Sequence, residues 1–336
     1  MALKASILLL LMARAASAHA GGVPDAAAVN RGLSPGMNYG AIFDAKPPEG
    51  WGWVAKEGDF KIIAAAGFRG LRLPVRWDAE AGLAAPYTID PRFFARVDRM
   101  LDAALGAGLT VVLDFHNFDG LMADPEGQKA RFLGIWDQLA HHYRGRPRRV
   151  LFEILNEPHD RLTPGLWNAL LPRALAVIRR ENPDRVVLVG TADWGGPAAL
   201  DSLRLPAGDP NIILSFHDYS PFHFTHQGAS WVGPQSQAWL GTRWTGSFKE
   251  NEDLRGDFER VDAYARAHGV PVNLGEYGSN DAADEGSRVL WTAAMSHAAR
   301  RFGFSYFYWE FKAGTMAVYD EKTGAWRSDL KNAILP

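Results

Sequence analysis

Short apolar segments alternate with longer amphipathic segments eight times along the 336-residue chain. The apolar segments lie at residues 36–39, 70–74, 109–115, 150–155, 186–190, 212–216, 272–275 and 305–309. Several of them are continuous apolar runs, which are typical of parallel strands covered on both faces. Eight strand–helix units therefore predict an α/β fold, a closed (β/α)8 TIM barrel that forms a single domain.

The segments between these strands have the apolar spacing of amphipathic helices. Phe94, Val97, Leu101 and Leu105 predict one buried helix face, and Leu254, Phe258, Val261 and Ala265 predict another. Pro91 and Pro125 predict helix starts, and Gly269 predicts a helix end. A doubly wound open sheet is the alternative fold, but the first strand is not followed by the Gly-x-Gly-x-x-Gly turn common in such sheets.

The composition excludes several classes of site and partner. Lys and Arg total 36 against 38 Asp and Glu, and this balance indicates neither nucleic acid nor a membrane surface as a partner. The chain has no cysteine, which excludes disulfides, thiolate metal sites and a cysteine nucleophile. Hydrophobic residues make up 47% of the chain, enough for a sizeable core, and we expect a monomer.

The first 20 residues have the pattern of a secretory signal peptide. Lys4 precedes an apolar run at 7–12, and small-x-small cleavage patterns follow at 16–18 and 18–20. The apolar run is shorter than the roughly 20 residues that a membrane span needs, although an uncleaved anchor is the alternative. We therefore predict a signal peptide at 1–20, a barrel domain at 21–336, a secreted or periplasmic location and no membrane association after cleavage.

Polar residues lie at equivalent positions, in the predicted strands or directly after them. They are Arg72, Asp114, His116, Asn156, Glu157, His217, Asp218, Tyr219, Glu276 and Glu310. Unpaired charges are costly to bury, and chemistry in a (β/α)8 barrel collects at the carboxyl ends of the strands. These residues are therefore expected to form one assembled site, with Asp114 and Glu310 in structural or supporting positions.

Glu157 and Glu276 are the most informative pair because the fourth and seventh strands face each other across a barrel. A retaining glycosidase needs two carboxyl groups about 5 to 5.5 Å apart, one as nucleophile and the other as acid. At an effective dielectric near 20, two charges at this separation repel by about 3 kcal/mol. This equals about two pKa units, so one carboxyl should keep its proton near neutral pH. A structural ion pair is the alternative for either glutamate alone.

The segments Leu155-Asn156-Glu157-Pro158 and Gly275-Glu276-Tyr277-Gly278 resemble the motifs of glycoside hydrolase family 5, the cellulase family of retaining (β/α)8 glycosidases. The resemblance covers essentially the whole chain after the predicted signal peptide. It implies that Glu157 is the proton donor and then the general base, and that Glu276 is the nucleophile. It also implies that Asn156 binds the sugar 2-hydroxyl and that Arg72 and Tyr219 hold Glu276 ionised and oriented.

The same resemblance matches His116 and His217 to two active-site histidines, and Trp309 to a tryptophan that stacks under the reacting sugar. Nine of the twelve tryptophans fall in segments after the predicted strands: Trp51, Trp53, Trp77, Trp194, Trp231, Trp239, Trp244, Trp309 and Trp326. Flat aromatic faces suit pyranose rings, and Trp309, Trp231 and Trp53 are the predicted sugar contacts. The run at 221–228, in a long stretch after the sixth strand, resembles endoglucanases and favours β-1,4-glucan.

We therefore expect an endo-β-1,4-glucanase that works by double displacement, with transglycosylation as a side reaction and without cofactor or metal. One alternative is the same mechanism on β-mannan, xyloglucan or β-1,3-glucan. A second is a carbohydrate-binding barrel that lacks catalysis. A third is a metal-dependent hydrolase, with His217, Asp218, His223 and His226 as candidate ligands. The sequence leaves open the exact polysaccharide, the number of subsites and the balance between hydrolysis and transglycosylation.

Overall fold

The computed structural model describes residues 25–45 and 53–335. The predicted signal peptide at 1–20 and Trp51 lie outside the described residues. Within them, a closed barrel of parallel strands forms in the order β1 to β8. The strands are β1 Gly36–Asn38, β2 Gly70–Val75, β3 Thr110–Phe115, β4 Val150–Glu153, β5 Val187–Gly190, β6 Ile212–His217, β7 Val272–Tyr277 and β8 Ser305–Tyr308.

The barrel closes where β1 pairs with β8, with Gly36 opposite Phe307 and Met37 opposite Tyr308. This closure confirms the predicted (β/α)8 barrel and rules out the doubly wound open sheet. All eight strand segments are found within two residues of their predicted bounds. Nearly every strand residue is buried, as expected for strands that carry helices on one face and the barrel core on the other.

The helices surround this barrel. They are α1 Ala26–Leu33, α2 Glu57–Ala65, α3 Pro91–Gly106, α4 Asp119–Ala123, α5 Pro125–Tyr143, α6 Pro164–Glu181, α7 Phe222–Thr225, α8 Phe248–His268, α9 Glu285–Phe302 and α10 Ser328–Ile334. A short antiparallel pair, β9 Tyr319–Asp320 and β10 Ala325–Trp326, lies between β8 and α10. The connection between β5 and β6 differs from the expected unit, because its helical segment is the 3-10 turn Pro197–Ser202 rather than an α-helix.

The local signals read from the sequence act as expected at the helix ends. Pro91 and Pro125 are the first residues of α3 and α5, where the proline lacks only an N–H that would have no helical partner. The preceding Asp90 and Asp124 side chains accept hydrogen bonds from backbone N–H groups of the first turn. Gly269 ends α8 in the left-handed conformation, with φ of 65°.

One predicted helix face is fully buried, and the other is buried at two of its four positions and partly buried at the other two. In α8, Leu254, Phe258, Val261 and Ala265 are all buried, as expected. In α3 the buried side chains are Phe93, Val97, Met100, Leu101 and Ala104. Phe94 and Leu105 are partly buried and pack against the same core, and Phe94 also stacks on His142 of α5, with ring centroids 4.1 Å apart.

The tryptophans divide between core and surface in a way that the sequence did not fully predict. Trp136, Trp167 and Trp291 lie in helices and are buried, as expected. Trp77 and Trp244 are also buried, although they were expected in loops that could line a cleft. Their indoles therefore pack the core and cannot offer a sugar-binding face. None of the described helices is both long and apolar enough to cross a membrane.

Candidate active site

Glu157 and Glu276 meet at the carboxyl end of the barrel. Glu157 follows β4 and Glu276 lies near the end of β7, so the closed strand order brings together residues that are far apart in sequence. Within the described residues, a carboxylate oxygen from each and a ring nitrogen of His217 lie within 4.8 Å of one another. This separation is close to that of the paired carboxyl groups in retaining glycosidases.

Arg72 lies beneath this pair and is fully buried on β2. Its Nη1 donates to Glu276 Oε1 at 2.5 Å, and its Nη2 lies 2.9 Å from Asp114 Oδ2. Its Nε and Nη2 also donate to the two carboxylate oxygens of Glu153, at 2.7 and 3.0 Å. Burial disfavours the charged guanidinium, but these three carboxylates outweigh burial and raise the pKa of Arg72 well above its usual value.

Glu153 was missing from the residues predicted for the site. It lies at the end of β4, buried, with both carboxylate oxygens bound to Arg72. The available signal was a charged side chain inside an otherwise apolar strand segment, which is costly to bury unless it is paired. Asn38 on β1 was missed as well, and its Oδ1 accepts from Arg72 Nη1 at 3.1 Å.

Two donors hold the Glu276 carboxylate. Arg72 binds Oε1, and the Tyr219 hydroxyl donates to Oε2 at 2.9 Å. Burial, together with the nearby charge of Glu276, raises the pKa of Tyr219 well above its usual value, so the phenol stays protonated as a donor. Both oxygens of this carboxylate are thereby fixed in orientation.

Glu157 has a different environment, although its carboxyl lies close by. Its Oε1 contacts Nδ1 of His217 at 2.7 Å, and its side chain is 18% exposed. Burial lowers the pKa of His217 to about 4, so this histidine is neutral at neutral pH and adds no positive charge. Burial raises the pKa of Glu157 to about 7, although His116 and Arg72 act in the opposite direction. Glu157 therefore keeps its proton for much of the time near neutral pH.

The backbone at Glu157 adopts the left-handed conformation, with φ of 43°. A residue other than glycine rarely adopts this conformation, and such strained residues cluster at functional sites. The preceding Asn156 is buried, and its Oδ1 accepts a hydrogen bond from Arg72 Nη2 at 2.8 Å. This contact fixes the amide plane, with the Nδ2 donor turned away from Arg72.

His116 and Trp309 form a second part of the site, directly after β3 and β8. Nδ1 of His116 lies 2.6 Å from Asp114 Oδ2, and Nε2 lies 4.0 Å from Asp44 Oδ2. Burial lowers the pKa of His116, but these two carboxylates outweigh it and raise the pKa to about 9, so the ring is positively charged at neutral pH. The Trp309 indole lies parallel to this ring, with centroids 5.5 Å apart.

Gly40 leaves room for the Trp309 indole, because a Cβ at this position would lie 2.5 Å from the ring. The neighbouring Glu310 is buried, and its Oε2 atom has no hydrogen-bond partner within the described residues. Burial, with a smaller effect from Asp44 and Glu276, raises the pKa of Glu310 well above its usual value. Burial therefore favours the protonated form of Glu310, the residue that follows Trp309 in the chain.

The other two predicted sugar contacts lie further from the carboxyl pair. Trp231 is 59% exposed, and its ring lies edge-on to His226, which in turn packs against Tyr219. Trp53 is partly buried in the segment before α2. The long stretch after β6 therefore presents Trp231 at the surface, one aromatic ring away from Tyr219.

The histidines that suggested a metal site do not gather around one point. His223 stacks on Trp239 and His226 stacks on Phe222, while Asp218 accepts a hydrogen bond from the Ser220 N–H. Within residues 25–45 and 53–335, the group of histidine and acidic side chains close enough to share an ion is Glu157, His217 and Glu276. Arg72 already binds Glu276 there with a formal positive charge, which opposes the binding of a second cation.

Comparison with known proteins places the chain in a known family. Residues 35–315 match the family described as cellulase, glycosyl hydrolase family 5. Endoglucanase H of Acetivibrio thermocellus is 32% identical over 309 residues, which cover 90% of this chain and 33% of that protein. The chain thus spans about a third of the length of this relative. Cellodextrinase A of Ruminococcus flavefaciens is 26% identical, over 82% of this chain and 84% of that protein.

Solved structures agree with this placement. A structure of Thermotoga maritima Cel5A in complex with cellobiose superposes with a TM-score of 0.90 and 40% identity, and covers 92% of this chain and 100% of that chain. The same enzyme in complex with a mannotriose substrate superposes equally well, also at 40% identity.

Proposed function

This chain belongs to glycosyl hydrolase family 5, and on that basis we propose that it is a retaining endo-β-1,4-glucanase. One observation carries the proposal: two carboxyl groups with oxygens within 4.8 Å have opposite environments. Glu276 is bound by a cation and a phenol, whereas burial raises the pKa of Glu157 to about 7. The similarity to endoglucanases, including Thermotoga maritima Cel5A at 40% identity, supports β-1,4-glucan as the substrate.

In the first step, a Glu276 carboxylate oxygen attacks the anomeric carbon of the sugar that stacks on Trp309. The bond between this carbon and the glycosidic oxygen breaks, and the oxygen takes the proton from Glu157 as the shorter chain leaves. The products are a glycosyl ester on Glu276 and an ionised Glu157. Because the reacting carbon is attacked from the face opposite the leaving group, its configuration inverts at this step.

In the second step, the ionised Glu157 removes a proton from a water molecule, which attacks the same carbon. The ester bond breaks, Glu276 recovers its carboxylate, and the second inversion gives net retention. A sugar hydroxyl in place of water gives transglycosylation by the same route. The sequence of events needs no metal and no cofactor.

The remaining residues position the substrate and the nucleophile. Arg72 and Tyr219 orient Glu276, and the Nδ2 of Asn156 donates to the sugar 2-hydroxyl, a contact that strengthens in the transition state. His116, as an imidazolium ion beside Trp309, is placed to donate to a sugar hydroxyl. His217 maintains the position of Glu157, and Trp231 and Trp53 contact sugars further along the chain.

Two alanine variants test the assignment. Glu276→Ala and Glu157→Ala should each lose most release of reducing ends from soluble β-1,4-glucan while remaining folded, as judged by circular dichroism. Azide should restore activity to Glu276→Ala and give a glycosyl azide of inverted configuration, because a small anion then replaces the carboxylate nucleophile, whereas any azide product of Glu157→Ala should have retained configuration. Glu259→Ala on the exposed side of α8 is the matched control and should keep full activity. Near-normal hydrolysis by either site variant would refute the role of that residue.

Substrate choice is tested with a panel of soluble β-1,4-glucan, β-mannan, xyloglucan and β-1,3-glucan, with product sizes read by chromatography. The mannotriose complex of the Thermotoga maritima relative makes β-mannan the second candidate. Binding without hydrolysis would instead indicate a carbohydrate-binding barrel. Loss of activity after chelator treatment would indicate the metal-dependent alternative.

The proposal includes export and organisation of the chain. Lys4, the apolar run at 7–12 and the small residues at 16–20 support a signal peptide at 1–20, with a catalytic domain at 21–336 that acts as a monomer in the periplasm or outside the cell. N-terminal sequencing of the exported protein should begin at Gly21. Size-exclusion chromatography with light scattering should give the mass of one chain.

A further inference from the structure

Arg288, Thr292 and Ser296 form a polar row on the buried face of α9. They are spaced four residues apart, so their side chains lie one above another on the helix, and each is at most 2% exposed. The helix α9 packs against β7 and β8. Ser296 is satisfied there, because its Oγ donates to the Thr292 backbone oxygen at 2.8 Å and contacts the Tyr277 hydroxyl at 3.1 Å. The other two side chains of the row are not.

Arg288 is a buried cation without a carboxylate partner. Its Nε donates to the Ser279 hydroxyl at 3.4 Å, which is a long hydrogen bond, and its Nη2 has no hydrogen-bond partner among the described residues. Within residues 25–45 and 53–335, no Asp or Glu oxygen forms an ion pair with its guanidinium. Thr292 Oγ1, one helical turn further along, is also buried and has no partner in the same part of the chain.

Two other buried arginines of this protein show what such a group requires. Arg72 forms ion pairs with three carboxylates. Arg185 has no carboxylate, but its guanidinium donates to four backbone carbonyl oxygens and to the Asn182 side chain. A guanidinium carries five N–H donors, and burying its charge without acceptors is costly. The acceptor that Arg288 reaches is a hydroxyl group, so its charge lacks the compensation that the other two have.

The charged groups around Arg288 favour a negative charge beside it. Burial raises the pKa of Tyr308, the last residue of β8, whereas the positive charges of Arg288 and Arg327 act in the opposite direction on this phenol. Glu310 also acts on Tyr308, but burial favours the protonated form of Glu310. This carboxyl therefore does not balance the charge of Arg288, and an anion at the guanidinium would be attracted by its surroundings.

We propose that Arg288 and Thr292 bind a small monovalent anion of the size of chloride, between α9 and the ends of β7 and β8. The guanidinium supplies the positive charge and the Nη2 donor, and Thr292 supplies an O–H donor. The Ser279 oxygen accepts from Arg288, so its own hydrogen is free to turn towards the ion. A water molecule would accept from one of these donors but would leave the buried charge uncompensated. The site is distinct from the carboxyl pair and goes beyond the proposed function.

The anion connects the segments that follow β7 and β8. Ser279 lies three residues after Glu276, and Tyr308 directly precedes Trp309. These segments are already joined where the Trp309 N–H donates to the Tyr277 oxygen at 2.8 Å. The unfolded chain does not bring α9 and these strand ends together, so the anion binds the native state alone. Its binding therefore stabilises the fold in proportion to occupancy of the site.

Thermal unfolding in chloride tests the site. The purified protein is placed in sodium gluconate, whose anion is too large for a buried site, and chloride replaces gluconate at constant ionic strength. The melting temperature should rise by about 2 to 5 °C and then level off. Thr292→Val keeps the side-chain shape without the hydroxyl and should need more chloride for the same rise. Arg288→Met should show no rise. Arg301→Met, exposed on the same helix, is the matched control and should respond as wild type does.

Crystals grown in bromide give a second readout, and anomalous scattering should place a bromide ion in contact with Arg288 Nη2 and Thr292 Oγ1. The same rise in melting temperature for wild type, Thr292→Val and Arg288→Met would overturn the inference, because chloride would then act elsewhere. A water molecule at this position in the bromide crystals would overturn it too. If Arg288→Met does not fold, the comparison of Thr292→Val with wild type decides. Neither readout involves hydrolysis, so failure of this inference is distinguishable from failure of the proposed function.

Discussion

The pKa of Glu157 leads to a specific pH dependence of the first chemical step. Burial raises this pKa from 4.5 to about 7, and only the protonated carboxyl can protonate the leaving oxygen. Such a group is about half protonated at pH 7, about a tenth at pH 8 and about a hundredth at pH 9. On cellotetraose, kcat/KM should therefore fall nearly tenfold per pH unit above a pH of about 7.5, since this parameter reports ionisations of the free enzyme.

The assay compares two leaving groups. Dinitrophenyl β-cellobioside releases a stable phenolate that needs no proton, so its kcat/KM should stay nearly constant from about pH 7 to pH 9. The Glu157→Gln variant should lose most activity on cellotetraose and keep much of its first-step rate on the aryl substrate. On neither substrate should its kcat/KM fall at high pH through ionisation of residue 157. A basic limb with the same midpoint on both substrates, or one that persists in Glu157→Gln, would refute the reasoning, because the titrating group would then be a different one.

Three further variants follow from the same contacts. Tyr219→Phe removes a hydrogen bond that orients the Glu276 carboxylate and should lower kcat by about 10- to 100-fold, with a fall of only a few degrees in melting temperature. Arg72→Met leaves buried carboxylates without a partner and should lower the free energy of unfolding by about 3 to 5 kcal/mol in urea titrations. Glu157→Gln should raise the free energy of unfolding at pH 8 by up to about 3 kcal/mol, because a carboxyl whose pKa is raised from 4.5 to about 7 in the folded state costs stability once it ionises. The gain should shrink as the pH falls from about 7 to 4.5, where wild-type Glu157 is protonated, and identical stability at all pH values would contradict it.

The sequence predicted the barrel because strand burial depends on local hydrophobicity. All eight segments, and the helix starts at Pro91 and Pro125, were located from patterns within a few residues. The predictions that were incomplete concern side chains whose burial depends on residues far away in the sequence. In α3, Phe93 is buried, whereas Phe94 is only partly buried and stacks on a ring from α5. Nothing local to Trp77 showed that its indole faces the core rather than a cleft.

The candidate site was also predictable in part, where its residues are found from local sequence alone. Motif residues such as Glu157 and Glu276 stand at strand ends, and position along the chain is enough to find them. Glu153 and Asn38 lie within strands, and their function depends on which side chain they meet across the barrel. That partner is Arg72, at a sequence separation of 81 residues from Glu153 and 34 from Asn38. Hydrophobic periodicity carries no information about such pairs, which are fixed by barrel closure and strand register.

The position of Glu153 helps to explain why Glu157 and Glu276 have different environments in the same barrel. By binding both Nε and Nη2 of Arg72, it fixes the guanidinium with Nη1 directed at Glu276. In formal charges, Arg72 and His116 then carry two positive charges against three negative charges on Asp114, Glu153 and Glu276. Burial is the largest effect that raises the pKa of Glu157, whereas the charges of His116 and Arg72 lower it. The neutral His217 offers no compensation. By pairing with Arg72, Glu153 offsets part of the positive charge that lowers the pKa of Glu157, although Glu153 and Glu157 do not need to touch.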